Sequence, residues 1–182
     1  MLTILNKEEI IAASESIFQQ FTDYCRSIPD PTFFLQPSEK WSIAQEVQHL
    51  TTSVHSTTLA YNLPKFIVRL IAGKPNRPSR SYDGLVERYK EKLAAGGKAG
   101  GRYIPKPVPF STGKSYMLEK WEKTTQRYLR ILKKQTTNDQ LDRYIAPHPL
   151  LGKITLRELC YFTIYHTEHH LNSIKLKNKT GF

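Results

Sequence analysis

Apolar residues recur at intervals of three and four positions in four separate segments, and this spacing constrains the fold more than any other feature of the chain. The first segment follows Asn6, a residue type suited to capping a helix, and continues to about Arg26. The second and fourth begin with capping-box sequences at 42–45 and 155–158, and the third runs from about 115 to 136. Because this spacing places the apolar side chains on one face, the sequence predicts four amphipathic helices.

The apolar faces of these helices define a predicted core. They comprise Ile10, Ala13, Ile17, Phe18, Phe21 and Cys25 in the first helix, Ile43, Val47, Leu50, Val54 and Tyr61 in the second, Leu118, Trp121, Thr125, Tyr128 and Leu132 in the third, and Leu159, Phe162 and Ile164 in the fourth, which continues to about Leu176. Pro64 is expected to kink or end the second helix, although helical periodicity resumes before Gly73, and Trp41 is expected to pack just before its cap. No segment alternates as a strand does and no sequence repeat is found, so the pattern indicates an all-α four-helix bundle rather than a helical array.

The segment between the second and third helices, residues 73–114, differs in composition from the rest of the chain. Glycine and proline punctuate it, apart from a short helical stretch that Gly96 and Gly97 are expected to stop. Residues 64–115 also hold 12 Lys and Arg against 3 Asp and Glu, which is most of the formal net charge of +11. The sequence therefore predicts one domain over residues 1–182, with a long, basic, Gly/Pro-rich crossover between helices two and three.

The cysteines and the apolar runs indicate the cellular compartment. Cys25 and Cys160 lie far apart in apolar surroundings, which matches neither a disulfide framework nor a paired metal or redox motif. Both are expected to be buried thiols. The N-terminal residues lack the features of a secretion signal, and the chain has no run of apolar residues long enough to span a membrane. We therefore expect a cytoplasmic protein that does not enter a membrane.

Histidines in the predicted second and fourth helices are the candidate functional residues. His166 and His170 are one helical turn apart on the inward face, a spacing that allows two imidazoles to bind one metal ion. His49 lies on a small polar face of the second helix and can supply a third ligand, whereas His169 points about 100° away from His170. A partly buried histidine is often simply hydrogen-bonded, and that interpretation stays open for each of the three.

Other polar residues near these motifs are weaker candidates. His55 and His148 are expected to lie at the surface or in loops, His148 being set between two prolines. Glu46 and Glu168 are the acidic residues nearest the histidines, and either can orient a ligand or accept a proton. A solvated carboxylate is the more common case for both. Glu46 is the one weak candidate for a catalytic group, and no other catalytic residue is assigned.

The motifs at the two ends of the chain resemble the DinB-like superfamily, also called the damage-inducible or bacillithiol-transferase-like group. The matching stretches are WSIAQ at 41–45, VQHL at 47–50, HPLLGKIT at 148–155 and HTEHH at 166–170. The similarity covers roughly residues 8–72 and 115–176. It implies an up-down-down-up four-helix bundle, often a homodimer, with a divalent ion held by His49, His166 and His170.

The leading hypothesis is a metal-dependent enzyme, a thiol S-transferase or a hydrolase, that acts on a small molecule. Three imidazoles leave a coordination position open; Zn or Ni is the preferred metal, and Mn or Fe is the alternative. The characterised relatives in the family include bacillithiol-dependent transferases and mycothiol-dependent isomerases, so a low-molecular-weight thiol is a candidate cofactor or anionic cosubstrate. The crossover residues that can attract such an anion are Lys74, Arg77, Arg80, Arg88 and Arg102.

A second class of function stays open because residues 65–114 are both basic and aromatic. The aromatic residues are Phe66, Tyr82, Tyr89, Tyr103 and Phe110. Such a mixture can contact phosphates and stack bases. No helix-turn-helix, zinc-finger or RNA-recognition motif accompanies it, which makes nucleic acid the less favoured partner. A non-enzymatic protein that binds nucleic acid or another anionic partner is therefore the alternative hypothesis.

Overall fold

Helices dominate the fold in the computed structural model, which describes residues 4–37 and 40–180. Within these ranges the helices are α1 (Lys7–Ser27), α2 (Asp30–Phe34), α3 (Ile43–Asn62), α4 (Lys65–Ala72), α5 (Tyr82–Ala94), α6 (Lys114–Gln135), α7 (Asn138–Arg143) and α8 (Leu156–Thr180). The strands β1 (Ile145–His148) and β2 (Gly152–Thr155) form an antiparallel hairpin, and 3-10 turns lie at Gly101–Tyr103 and Phe110–Thr112. The predicted all-α class is confirmed, apart from this small hairpin.

Three of the four long helices, α1, α3 and α8, begin at the residues that the capping signals predict. Asn6 caps α1 through a reciprocal pair of hydrogen bonds with Glu9, and Ser42 caps α3 in the same way with Gln45. α3 ends at Asn62 and α4 begins at Lys65, with Pro64 between them, because proline cannot continue the hydrogen-bonding pattern of α3. The periodicity seen after Pro64 is that of α4.

The bundle of α1, α3, α6 and α8 has the predicted up-down-down-up order. α3 is antiparallel to α8, because Tyr61 at the end of α3 donates a hydrogen bond to the carbonyl of Leu156 at the start of α8. α1 is antiparallel to α6, because Lys7 at the start of α1 donates to the carbonyl of Lys133 near the end of α6. The backbone just before α1 bonds to Tyr161 in the first half of α8, so these two helices are parallel. Consequently α3 and α6 run in the same direction, and the chain between them must return along the bundle.

The core lies between the apolar faces of these helices. Every predicted core residue is buried except Ala13, which is half-buried. Trp121 is fully buried against Phe18 and Phe21, and its indole N–H donates to the hydroxyl of Thr22 at 2.9 Å. Large aromatic side chains thus fill the centre while their polar atoms are hydrogen-bonded, as a close-packed interior requires.

The two cysteines are free and buried, as predicted. Burial raises the pKa of the Cys160 thiol to about 11 and raises that of Cys25 further, so both are protonated at neutral pH. Neither thiol is therefore suited to nucleophilic chemistry. Among the described residues, no helix combines the length and apolar character needed to cross a bilayer.

The hairpin and two short helices were not predicted. The expectation that no strand is present is wrong: Ile145 pairs with Thr155, and His148 pairs with Gly152. Strands of four residues are too short to show a clear alternation of apolar and polar positions. α2 and α7 lie outside the four predicted helices, and each is only one or two turns long, too short for a recognisable apolar spacing.

A buried carboxylate anchors the chain after α4 to the start of α8. Glu158 has no exposed side-chain surface; it accepts two hydrogen bonds from the guanidinium of Arg77 at 2.8 and 2.9 Å, and two more from the guanidinium and backbone of Arg80 at 2.9 and 3.0 Å. Burial alone raises the pKa of Glu158, but these hydrogen bonds, together with one from the backbone of Thr155, lower it overall. Two arginines of the basic segment therefore hold the fold together and are not available as free charges.

Replacing this carboxylate is expected to weaken the fold. Glu158→Gln should lower the free energy of unfolding by about 3 kcal/mol, the low end of the range for a buried ion pair, because the two arginines are about one-third exposed. The pKa of Glu158 is lower in the folded state than in the unfolded state. Its contribution to the free energy of unfolding is therefore fully present above the unfolded-state pKa of about 4.3 and is lost as the pH falls through the folded-state pKa. Urea unfolding of both proteins at pH 7 and at lower pH measures this difference.

Asp139→Asn supplies the matched control, since Asp139 and its partner Arg143 are both more than half exposed. Its effect should stay within about 0.5 kcal/mol. Equal unfolding free energies for Glu158→Gln and the control at pH 7 would contradict the anchoring role.

Candidate metal centre

The three predicted histidines converge on one point between α3 and α8. The Nε2 atom of His166 lies 3.1 Å from the Nε2 atoms of both His49 and His170. All three side chains are buried, and their ligand atoms lie within 4.8 Å of one another. Within the described residues this is the one group of three or more His, Cys, Asp or Glu side chains with metal-ligand spacing. The structure thus brings together all of the residues that the sequence singled out as ligands.

Helical spacing and helix direction create this convergence. His166 and His170 are four residues apart on α8 and therefore project from the same face. The antiparallel α3 crosses that face with its small polar side, so that His49 and Ser53 are turned toward His166. The apolar face of α3 is used elsewhere in the core, where Leu50 and Val54 are buried. One helix thereby serves the core and the site at once.

Hydrogen bonds at the opposite ring nitrogens set which atoms of His49 and His170 carry protons. The Nδ1 of His49 lies 2.7 Å from the backbone carbonyl of Tyr103, and the Nδ1 of His170 lies 3.0 Å from a carboxylate oxygen of Glu46. Since a carbonyl and a carboxylate only accept, each Nδ1 donates, and each neutral ring presents a lone pair at Nε2. The Nδ1 of His166 lies 3.4 Å from the hydroxyl of Ser53, which can donate or accept.

This arrangement fits a divalent metal ion. At least two lone pairs face the point where the three Nε2 atoms meet, and a bound cation satisfies all of them at once. Burial, with a smaller contribution from His170, lowers the pKa of His49 to about 4, and burial lowers that of His166 well below its usual value. Both rings are therefore neutral at pH 7, the form in which imidazole binds a metal.

Glu46 holds His170 in place, and its predicted solvated state is wrong. The carboxylate is only 2% exposed. Besides His170 it accepts hydrogen bonds from the hydroxyl of Ser173 at 3.1 Å and from the ammonium of Lys177. Burial alone raises the pKa of Glu46, but the bonds to His170 and Lys177 outweigh it and lower the pKa. Glu168, in contrast, is exposed, as expected. Neither carboxylate faces the three Nε2 atoms directly.

A cavity of about 440 Å³ opens onto the three histidines. Its walls are mainly apolar and come from α3, α4, α5, the hairpin and α8. They include Leu59, Ala60, Leu63, Ile71, Leu93, Ala146, Pro147, Pro149, Leu150, Leu159 and Phe162. Trp41 closes one side, with its ring 5.0 Å from that of His49 and stacked 6.4 Å from that of His170. Trp41 therefore contributes to the site as well as to the start of α3.

His148 was expected at the surface or in a loop, and that expectation is wrong. It ends β1, is half-buried and lines the cavity. Its Nδ1 accepts hydrogen bonds from the backbone N–H groups of Leu150 and Leu151. The sequence offered one unused signal, a histidine directly before Pro-Leu-Leu-Gly, which is a turn sequence that brings backbone N–H groups back toward residue 148. His55 is exposed on α3, as predicted.

The basic residues of the crossover have different roles. Arg77 and Arg80 bind Glu158, and Arg88 pairs with Glu91 at 2.9 Å. Arg102 lines the cavity, as does Lys98, which is not among the residues predicted to attract an anion. An anion that approaches the cavity therefore meets positive charge at the edge of the cavity. Lys98 and Arg102 supply this charge, which is a small part of the basic residues of the crossover.

Comparison with known proteins agrees with this architecture. A family model described as the DinB superfamily matches residues 15–174. The structure of YfiT from Bacillus subtilis, described as a probable metal-dependent hydrolase with an unusual four-helix bundle topology, is similar with a TM-score of 0.66 and 17% sequence identity, over 97% of this chain and 88% of that one. No curated protein is significantly similar in sequence.

Removing one ligand is expected to remove the metal. Protein purified without a histidine tag and loaded with Zn²⁺ or Ni²⁺ should hold about one ion per chain, whereas His166→Ala should hold almost none after buffer exchange, since two imidazoles bind too weakly. Inductively coupled plasma mass spectrometry gives the stoichiometry. His55→Ala, on the exposed side of α3, is the control and should keep its metal. Equal metal content in the two variants would refute the site.

Proposed function

The chain belongs to the DinB superfamily, and from that membership and the three-histidine centre we propose that it is a metal-dependent hydrolase of small, largely apolar molecules. The main support for the proposal is that the Nε2 atoms of the three histidines lie close together at the wall of the apolar cavity. A three-histidine centre leaves a coordination position open, as catalytic sites do. The similarity to a probable metal-dependent hydrolase supports the same class of function.

The chain's own residues would hold and shape this centre. His49, His166 and His170 would bind the ion, with Zn or Ni preferred for an all-imidazole set. When bound, the ion supplies Lewis acidity toward an oxygen atom of water or substrate. Glu46 keeps the proton of His170 on Nδ1, and the carbonyl of Tyr103 does the same for His49, so that both Nε2 lone pairs stay directed inward. We therefore assign Glu46 a positioning role.

The mainly apolar walls of the cavity favour an apolar substrate. Trp41 and Phe162 lie against the histidine rings, Phe162 being stacked on His166 with ring centroids 4.6 Å apart. In such surroundings a charge that develops on the substrate is screened less than in water. Lys98 and Arg102 at the edge of the cavity favour substrates or products that carry a negative charge.

Thiol S-transfer is a second candidate, which the same two basic residues favour. A low-molecular-weight thiol that carries carboxylates would meet Lys98 and Arg102 on entering the cavity, and its sulfur is a suitable ligand for Zn or Ni. The nucleic-acid alternative has less support, because Tyr89 is buried and Tyr82 packs against Tyr161, so that neither ring is free to stack on a base. The homodimer and the cytoplasmic location stay predictions.

Hydrolysis should depend on the metal ligands and not on an added thiol. The Zn- or Ni-loaded protein is expected to hydrolyse 4-nitrophenyl hexanoate, and His166→Ala should reduce kcat/KM by roughly 100-fold or more, while the His55→Ala control is unchanged. Release of 4-nitrophenol and of hexanoate, followed by absorbance and by mass spectrometry, measures the reaction.

Adding several low-molecular-weight thiols separates the two candidate functions. A thioester product that forms only with thiol would favour the transferase. Turnover that is the same in the wild-type protein and in His166→Ala would contradict both candidates.

A further inference from the structure

His148 is a polar group on the wall of the cavity that the three-histidine centre does not use. We propose, building on the hydrolase function, that the Nε2–H of His148 donates a hydrogen bond to the carbonyl oxygen of an acyl substrate, so that the site selects esters or amides of apolar carboxylic acids. The proposal adds a substrate class and a substrate-binding residue to the site described above.

Two backbone hydrogen bonds fix the protonation state of this ring. The N–H groups of Leu150 and Leu151 donate to the Nδ1 of His148 at 3.2 and 3.1 Å. Nδ1 must therefore carry a lone pair, and the proton of the neutral ring must be on Nε2. Burial lowers the pKa of His148 to about 4, which agrees with a neutral ring at pH 7. The tight turn after β1 thus produces a fixed hydrogen-bond donor.

That donor has no hydrogen-bond partner among the residues that the structure describes. In residues 4–37 and 40–180, no group forms a hydrogen bond with the Nε2 of His148, although its Nδ1 has two partners. The ring is half-buried and lines the cavity. An oxygen atom of a molecule bound in the cavity can therefore accept the hydrogen bond that this donor does not make within the described part of the chain.

The ring of Phe162 contacts both His148 and His166, one of the three histidines of the metal centre. The ring of Phe162 lies 4.2 Å from that of His148 and 4.6 Å from that of His166, centroid to centroid. Because His148 and the three histidines also line the same cavity, one small substrate bound there can reach both the three Nε2 atoms and His148. This is the arrangement needed to hold a carbonyl group.

His148 would stabilise charge during ester hydrolysis and would not transfer a proton. In ester hydrolysis, water adds to the carbonyl carbon, the bond to the alcohol oxygen breaks, and a proton passes from the attacking water to the leaving alkoxide; the products are a carboxylic acid and an alcohol. Negative charge develops on the carbonyl oxygen during the addition. His148 keeps its proton throughout and stabilises that charge through the hydrogen bond from Nε2.

Two substitutions separate this role from a structural role in the turn. In His148→Asn, the side-chain carbonyl can accept the backbone N–H groups of Leu150 and Leu151, as in an Asx turn, but the donor at Nε2 is lost. In His148→Gln, the amide nitrogen can reach the former position of Nε2, but the acceptor for the turn is lost. The first variant preserves the turn and the second preserves a donor.

Kinetics of the metal-loaded proteins give the first test. His148→Asn should lower kcat/KM for 4-nitrophenyl hexanoate by about 100-fold, with metal content and Tm within error of the wild-type values. His148→Gln should have a lower Tm but keep more of the rate than His148→Asn. A rate in His148→Asn equal to that of the wild type would show that His148 serves only the turn and would overturn the proposal.

Binding of hexanoate to the metal-free proteins gives a test that needs no turnover. Isothermal titration calorimetry should show binding to the wild type and about 10-fold weaker binding to His148→Asn, because the hydrogen bond to a carboxylate oxygen is lost. If this holds but the loaded protein does not hydrolyse esters, the hydrolase function fails while the binding role of His148 stands. Equal affinities, or no binding to the wild type, would overturn the inference itself.

Discussion

The site depends on three imidazole rings whose Nε2 atoms are held toward one another inside an antiparallel pair of helices. Such a cluster is unfavourable unless something satisfies it, because buried acceptors without a donor lose their hydration. The surrounding structure maintains it all the same: Tyr103 and Glu46 fix the outer nitrogens of His49 and His170, and burial lowers the pKa of His49 and of His166 so that both rings are neutral. A divalent cation bound at the three Nε2 atoms would satisfy these requirements.

The core of the bundle and the wall of the cavity share residues of α8. Leu159 and Phe162 pack in the hydrophobic core around Trp121 and also line the cavity, and the anchor at Glu158 ties the basic segment to the start of the same helix. Much of the positive charge that first suggested a polyanion partner is therefore balanced locally or solvated. At the cavity, Lys98 and Arg102 place positive charge at the edge of an apolar interior. This combination suits a small molecule with an anionic or polar end.

The sequence predicted what depends on local spacing and missed what depends on distant contacts. Capping residues and three-four spacing gave the starts of α1, α3 and α8, and the four-residue spacing of His166 and His170 gave two ligands on one face. The burial of Glu46 was missed, because it results from contact with α8 more than a hundred residues away. The same holds for His148, whose position is set by a hairpin too short to be recognised from its pattern.

The central claim is that His49, His166 and His170 together bind one metal ion. Anomalous diffraction from crystals of the Zn-loaded protein, measured on both sides of the Zn absorption edge, tests it most directly. The account predicts a single strong peak with three Nε2 atoms at about 2.0–2.1 Å from it. A peak elsewhere, or a peak bonded to carboxylates while the three imidazoles remain hydrogen-bonded to one another, would contradict it.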